Sequence, residues 1–296
     1  MKKNIFLNYT RSGRLTNDLL NSIKRRSKDN LYCDLFDNYF NNVNLGNMRS
    51  FSNDAIGYLF MNLEKAECLV HLQDKNDDIT NAFTLTEILL CLYYNKPLYN
   101  LEIDSVLEND NLLDYINIIF KSHKTDDSIL YRNLINELNK NSLDKTFISY
   151  TREQNPKIIN LLFYLKAMCG NDVYVDYFDN NILKEDKQSY HAFNKDCRFS
   201  PEIFKEVFNQ LVKCNRFCIV LSDQIFNNSF VKMQYQIAKA LGKDIYVIEE
   251  EKLKDIENVE DLDKYKGKAN IQNLDKEFNK KNEWYENLVL CNERNR

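Results

Sequence analysis

The chain carries the same short pattern twice. Thr146-Phe147-Ile148-Ser149-Tyr150-Thr151-Arg152, near its middle, echoes Ile5-Phe6-Leu7-Asn8-Tyr9-Thr10-Arg11 near its start. Each copy is a brief apolar run that breaks into a polar turn, as a strand leading into a loop does. A second echo follows each of these, Cys33-Asp34-Leu35-Phe36-Asp37-Asn38 against Val175-Asp176-Tyr177-Phe178-Asp179-Asn180. Two echoes in the same order, at nearly the same spacing, make chance a poor explanation. The expectation is two similar domains in tandem, residues 1–143 and 144–296, with a linker over 139–144. A length of 296 residues lets each bury its own core.

Between these landmarks apolar runs alternate with helical periodicity. In the first half, strands are expected at 5–8, 31–36, 68–72 and 97–101, and helices at 15–27, 51–65, 83–94, 106–120 and 128–140. The first helix rests on Leu15, Leu19, Leu20 and Ile23, which recur at helical spacing. In the second half, strands are expected at 147–149, 173–178, 217–221 and 245–248. Its helices run through Ile158, Leu161, Leu162 and Leu165, from Pro201, over 229–241, and in a tail that carries Trp284. The run from Cys68 to Leu72 is almost wholly apolar, as a central parallel strand covered on both faces must be. The alternation predicts βαβ units and the α/β class, each half an open parallel sheet flanked by helices.

Composition narrows the partners. Lys and Arg total 40 against 44 Asp and Glu, and a net charge of −4 gives no global attraction to phosphate backbones. The short basic run Lys24-Arg25-Arg26 with Lys28 falls at a helix end, where cations suit the dipole. No run is long and apolar enough to span a membrane, and Ile5-Phe6-Leu7 is too short for a signal-peptide core. The expectation is a cytoplasmic protein that binds neither nucleic acid nor membrane. The eight cysteines form no C-x-x-C pair and sit mostly in apolar segments, which predicts buried, reduced thiols. Three separated histidines predict no metal site, and no G-x-G-x-x-G or P-loop pattern is present.

In open α/β sheets, ligands bind beyond the carboxyl ends of the strands. The loops to inspect are therefore 9–14, 37–50 and 73–81, and in the second half 150–155, 179–200 and 222–228. Arg11 and Arg152 end the first of these turns in each half, where they could meet a phosphate or simply lie on the surface. Asp34 and Asp176 alternate with apolar neighbours and could face a ligand or serve as hydrogen-bonded structural carboxylates. His71, inside an apolar strand, reads as a satisfied core histidine.

The order F-I-S-Y-T-R, helix, V-Y-V-D-Y-F, long loop, then C-I-V-L-S-D-Q-I-F-N-N-S-F-V-K-M-Q-Y-Q-I-A-K-A-L-G-K-D-I-Y-V-I resembles a Toll/interleukin receptor (TIR) domain of the bacterial or plant type. The resemblance covers residues 146–248 well and 4–101 more weakly. It implies two flavodoxin-like domains and, for many members, cleavage of NAD+ at the nicotinamide bond through one glutamate on the helix after the third strand. In the family that glutamate follows an aromatic residue by one helical turn and precedes a lysine-containing turn. Phe83 and Lys96 put Glu87 in that place; Phe230 and Lys243 put Gln234 there. A carboxylate can stabilise oxocarbenium character at the ribose, whereas glutamine supplies no negative charge.

The resemblance thus implies Glu87 as the catalytic residue, with Tyr9, Arg11, Asp34 and Phe83 around the substrate. Ser149, Arg152, Asp176, Ser222, Phe230 and Gln234 would form a degenerate second site. Outside the resemblance, a glutamate amid Leu85, Ile88, Leu89 and Leu92 is more often solvated or ion-paired. The first half also departs from the second, with Leu72-Gln73-Asp74 against Leu221-Ser222-Asp223 and Ala82 against Ser229. Three functions are weighed, two from the resemblance and one from the shared fold class and its use of a glutamate. One is an NAD+-consuming enzyme, hydrolysing or cyclising, that makes a signal or depletes the cofactor in antiviral defence. Another is a degenerate scaffold that assembles with itself or with another TIR-domain protein. The last is an enzyme resembling nucleoside deoxyribosyltransferases, which the S-Y-T-R opening and S-D turn fit less well. No bound cofactor is expected; NAD+ would be substrate.

Overall fold

The computed structural model describes residues 4–9, 17–27, 30–32, 53–74, 81–102, 127–151, 156–179, 201–222 and 225–280. Arg11, Asp34, Arg152, the helix expected at 106–120 and Trp284 lie outside the described residues, as does most of each long loop. The chain divides into two compact units, Met1–Met48 with Asn62–Ile135 and Arg49–Met61 with Asn136–Arg296.

The first half contains β1 (Asn4–Tyr9), α1 (Asn17–Arg26), β2 (Asn30–Tyr32), α2 (Asn53–Lys65), β3 (Cys68–Gln73), α3 (Ala82–Tyr93) and β4 (Leu98–Glu102), followed by α4 (Ser128–Lys140). Its four strands are all parallel and ordered β2-β1-β3-β4. The second half runs β5 (Leu143–Ser149), α5 (Pro156–Cys169), β6 (Val173–Tyr174), α6 (Pro201–Lys213), β7 (Cys214–Leu221), α7 (Ser229–Ala240), β8 (Asp244–Glu249) and α8 (Lys268–Lys280). It has the same parallel order, β6-β5-β7-β8. The protein is therefore α/β, with two four-stranded parallel sheets flanked by helices, consistent with a flavodoxin-like fold. In both sheets the strand order reverses between the first strand and the third, the switch point where such folds form a crevice.

Each sheet is buried on both faces, which explains the near-continuous apolar strands. Ile5, Leu7, Leu69, Val70 and Leu72 lie in one core and Phe147, Ile148, Phe217, Cys218, Ile219 and Ile248 in the other. After β8 the chain makes two 3-10 turns, Glu250–Asp255 and Val259–Tyr265, instead of another strand. Leu253, Ile256, Val259 and Leu262 from these turns pack into the second core. The Asn258 side chain accepts the Asp261 N–H at 3.2 Å and Asp261 returns the bond to Asn258 N–H, a reciprocal box that fixes the start of the second turn.

The helices after the third strands, α3 and α7, match from end to end. Asn81 caps α3 by accepting the Phe83 N–H at 3.0 Å. Asn228 caps α7 by accepting the N–H groups of Phe230 and Val231, both at 3.0 Å. Each helix leaves through a left-handed residue, Asn95 at φ 53° and Gly242 at φ 70°, where asparagine and glycine are the tolerated types. The next residue is a lysine in both. Lys96 Nζ donates to the Glu64 carbonyl at 2.9 Å, and Lys243 Nζ donates to the Val212 carbonyl at 2.8 Å, each near the end of the preceding helix. The duplication therefore holds in caps and exits where the two sequences share few identities.

Two expectations are corrected. Residues 139–144 form no linker: α4 continues to Lys140 and β5 begins at Leu143. Asn139 is pinned in the second unit, donating to the Leu241 carbonyl at 2.6 Å and accepting from Lys243 Nζ at 2.9 Å. The strand expected over 173–178 stops at Tyr174, and Asp176–Phe178 forms a 3-10 turn. Among the described residues β6 is an edge strand that pairs with β5 alone, so little there holds the chain in extended form beyond that point.

Candidate functional site

Asn8 is the buried polar residue of β1 and lies near its carboxyl end, beside the switch point. Its register partner across that switch is His71 of β3. From α3, Glu87 reaches back to the same place. Asn8 Nδ2 donates to Glu87 Oε2 at 2.5 Å and to the Thr84 carbonyl at 3.3 Å, while Asn8 Oδ1 is hydrogen-bonded to His71 Nδ1. Glu87 is half-buried. It is thus not the freely solvated surface glutamate that its apolar neighbours alone would favour, but a carboxylate tied to the strand end where α/β sheets bind ligands.

His71 is wholly buried, and its Nε2 has no hydrogen-bond partner among the described residues. Burial pushes its pKa down to about 4, with a hydrogen bond to the Asn8 backbone acting the other way, so the ring is neutral at physiological pH. The expectation of a satisfied core histidine is met at one nitrogen only.

The second unit repeats this arrangement with different chemistry. Ser149, at the end of β5, donates from Oγ to Gln234 Oε1 of α7 at 2.6 Å. Ser149 is 1% exposed and Gln234 4% exposed, so this slot is closed. Tyr150 donates its hydroxyl to Asp176 Oδ1 at 2.7 Å, and Thr151 Oγ1 is hydrogen-bonded to Ser222 Oγ at 2.8 Å. Asp176 thus acts as a buried acceptor for a neighbouring tyrosine. Phe230, also buried, sets its ring edge-on to Phe204 at 6.5 Å.

Tyr9 ends β1, half-buried, and Phe83 lies in the first turn of α3, also half-buried, one turn before Glu87. The strand registers correct one correspondence. Asn8 faces His71 and Ser149 faces Ile219, so Asp74, rather than Gln73, stands in the place of Ser222. Asn8, His71 and Thr151 are the site residues that sequence reasoning missed. The available signal was a polar residue closing an apolar strand, Asn8 beside His71 in one half and Ser149 in the other.

Burial raises the Cys169 and Cys214 thiols to about 11 and Cys218 to about 12, as expected of inert, protonated core cysteines. Among the described residues, no group of histidine, cysteine and acidic side chains is placed to hold a metal. No helix among them is long and apolar enough to cross a membrane. No family model matches the chain, and neither does any curated protein or solved structure.

Proposed function

We propose that the chain is a tandem TIR-like protein whose first unit cleaves NAD+ at the nicotinamide bond, with Glu87 as the essential carboxylate and the second unit catalytically silent. The observation that supports this reading is the position of Glu87 at the β1/β3 switch point, anchored by Asn8. In the reaction the bond between ribose C1′ and the nicotinamide nitrogen breaks, and its electron pair leaves with nicotinamide. The ribose gains oxocarbenium character, which a carboxylate fixed beside it stabilises. Water then adds at C1′ and releases a proton to give ADP-ribose, or a nucleophile of the adenosine part closes a ring. Either product suits a signal or a depletion response in antiviral defence.

In the second unit, Gln234 cannot supply that charge, and its carbonyl oxygen is occupied by Ser149 inside the core. This closure favours a scaffolding role for that half, assembling with a second copy or with another TIR-domain protein. The deciding experiment incubates purified full-length protein with NAD+ and follows nicotinamide release by wild type and Glu87→Gln. Turnover in wild type, reduced at least about 100-fold in the variant, is the expected outcome. No turnover, or turnover indifferent to Glu87→Gln, sinks the reading.

A further inference from the structure

Asn8 has two acceptors on one side, the Thr84 carbonyl and Glu87 Oε2. A carbonyl and a carboxylate both require hydrogens, so the amide nitrogen must face them and Oδ1 must face His71. An amide oxygen donates nothing, so His71 Nδ1 must carry the hydrogen. The ring is neutral, which leaves Nε2 unprotonated, and that nitrogen is the one without a hydrogen-bond partner among the described residues. Each link is therefore directional, from His71 Nδ1–H to Asn8 Oδ1 and from Asn8 Nδ2–H to Glu87 Oε2. All three side chains sit on different elements, β3, β1 and α3, so the chain of bonds ties the helix to the two strands at the switch point.

We infer that Asn8 and His71 are positioning residues that aim the Glu87 carboxylate. This role rests on the reading of Glu87 as the reacting group. His71 stops the Asn8 amide from turning over, and Asn8 keeps one carboxylate oxygen engaged, so that Glu87 meets the ribose in one orientation. Donation into the Asn8 carbonyl also strengthens the donation of its N–H to the carboxylate, as in any linked series of hydrogen bonds. The second unit lacks this device. Ser149 offers one short hydroxyl, and Ile219 occupies the register of His71.

The test combines steady-state kinetics on NAD+ with the long-range proton–nitrogen NMR spectrum of the full-length protein. His71 is expected as the Nδ1–H tautomer, changing to Nε2–H in Asn8→Leu, where Nδ1 has lost its acceptor. Asn8→Leu is expected to lower kcat about 10- to 100-fold with KM within about twofold, since misorientation of a reacting group acts in the transition state. Asn8→Ser keeps a donor of the kind the second unit uses and recovers part of that loss. His71→Leu, which keeps an apolar side chain in the core, lowers kcat by about threefold or more with KM unchanged. An Nε2–H tautomer in the wild type overturns the inference. So do folded Asn8→Leu and His71→Leu variants that retain wild-type kcat while Glu87→Gln is inactive, a result that leaves the reading of Glu87 intact. Turnover indifferent to Glu87→Gln fails that reading instead, and the positioning role with it.

Discussion

The helices α3 and α7 are built alike from cap to exit, yet they deliver opposite chemistry to the strand ends. Both start on an asparagine cap, leave through a left-handed residue and return a lysine to the preceding helix. At the matching position one presents a half-buried glutamate to an asparagine and the other a buried glutamine to a serine. The backbone frame and the polar group it delivers are thus separable. The same caps and turns carry a half-buried carboxylate in one unit and, in the other, a neutral amide sealed into the interior.

His71 gives the first unit a pH-dependent stability. Its pKa is about 4 folded against 6.5 unfolded, so below pH 6.5 the unfolded chain takes up a proton that the folded unit refuses. Its contribution is fully present above 6.5 and lost as pH falls toward 4, on the order of 3 kcal/mol in all. Urea unfolding of wild type and His71→Leu at about pH 7 and about pH 4.5 measures it. The wild type is expected to lose more stability across that interval than the variant. Equal losses would show that the histidine is not held neutral.

A smaller effect tests the closure of the second slot. Gln234→Glu places a carboxylate at a 4% exposed position with one serine donor, and is expected to cost about 2 kcal/mol or more at neutral pH. The cost shrinks in acid, because burial raises the new group's pKa and it folds protonated. Glu87→Gln, at a half-buried position, is expected to cost under about 1 kcal/mol. Denaturation curves that show the two exchanges to be equal would break the contrast between a closed slot and an accessible one.

The smallest effect concerns the shared frame. Asn228→Ala removes two capping bonds and is expected to cost about 1 kcal/mol, whereas Asn81→Ala removes the single bond to Phe83 and should cost less. Thermal unfolding resolves the two, and a larger loss at Asn81 would contradict the geometry seen at the caps.

Much of the frame was legible in the residues. Apolar runs such as Cys68–Leu72 had to be covered strands, and the repeated Tyr-Thr-Arg pattern marked where β1 and β5 end. The stop at Tyr174 was not legible, because V-Y-V-D-Y-F has strand composition throughout. What ends the strand is its edge position among the described strands and the hydrogen bond drawing Asp176 to Tyr150. The absent linker had the same cause: Asn139 reads as a loop residue until Lys243, distant in sequence, is found bonded to it. At the site, the resemblance pointed to Glu87 but not to Asn8. Its role exists only where three elements meet, and no local pattern encodes that meeting.

The separation of frame from chemistry is tested most directly by exchanging the two reactive positions. Nicotinamide release from NAD+ is measured for wild type, Glu87→Gln, and Glu87→Gln combined with Gln234→Glu, with each fold checked by circular dichroism. Turnover in wild type alone is the expected result, the combined variant staying as inactive as Glu87→Gln because the second slot is closed. Restoration of turnover by Gln234→Glu would contradict it, showing that the second unit kept a working site and lost only its charge.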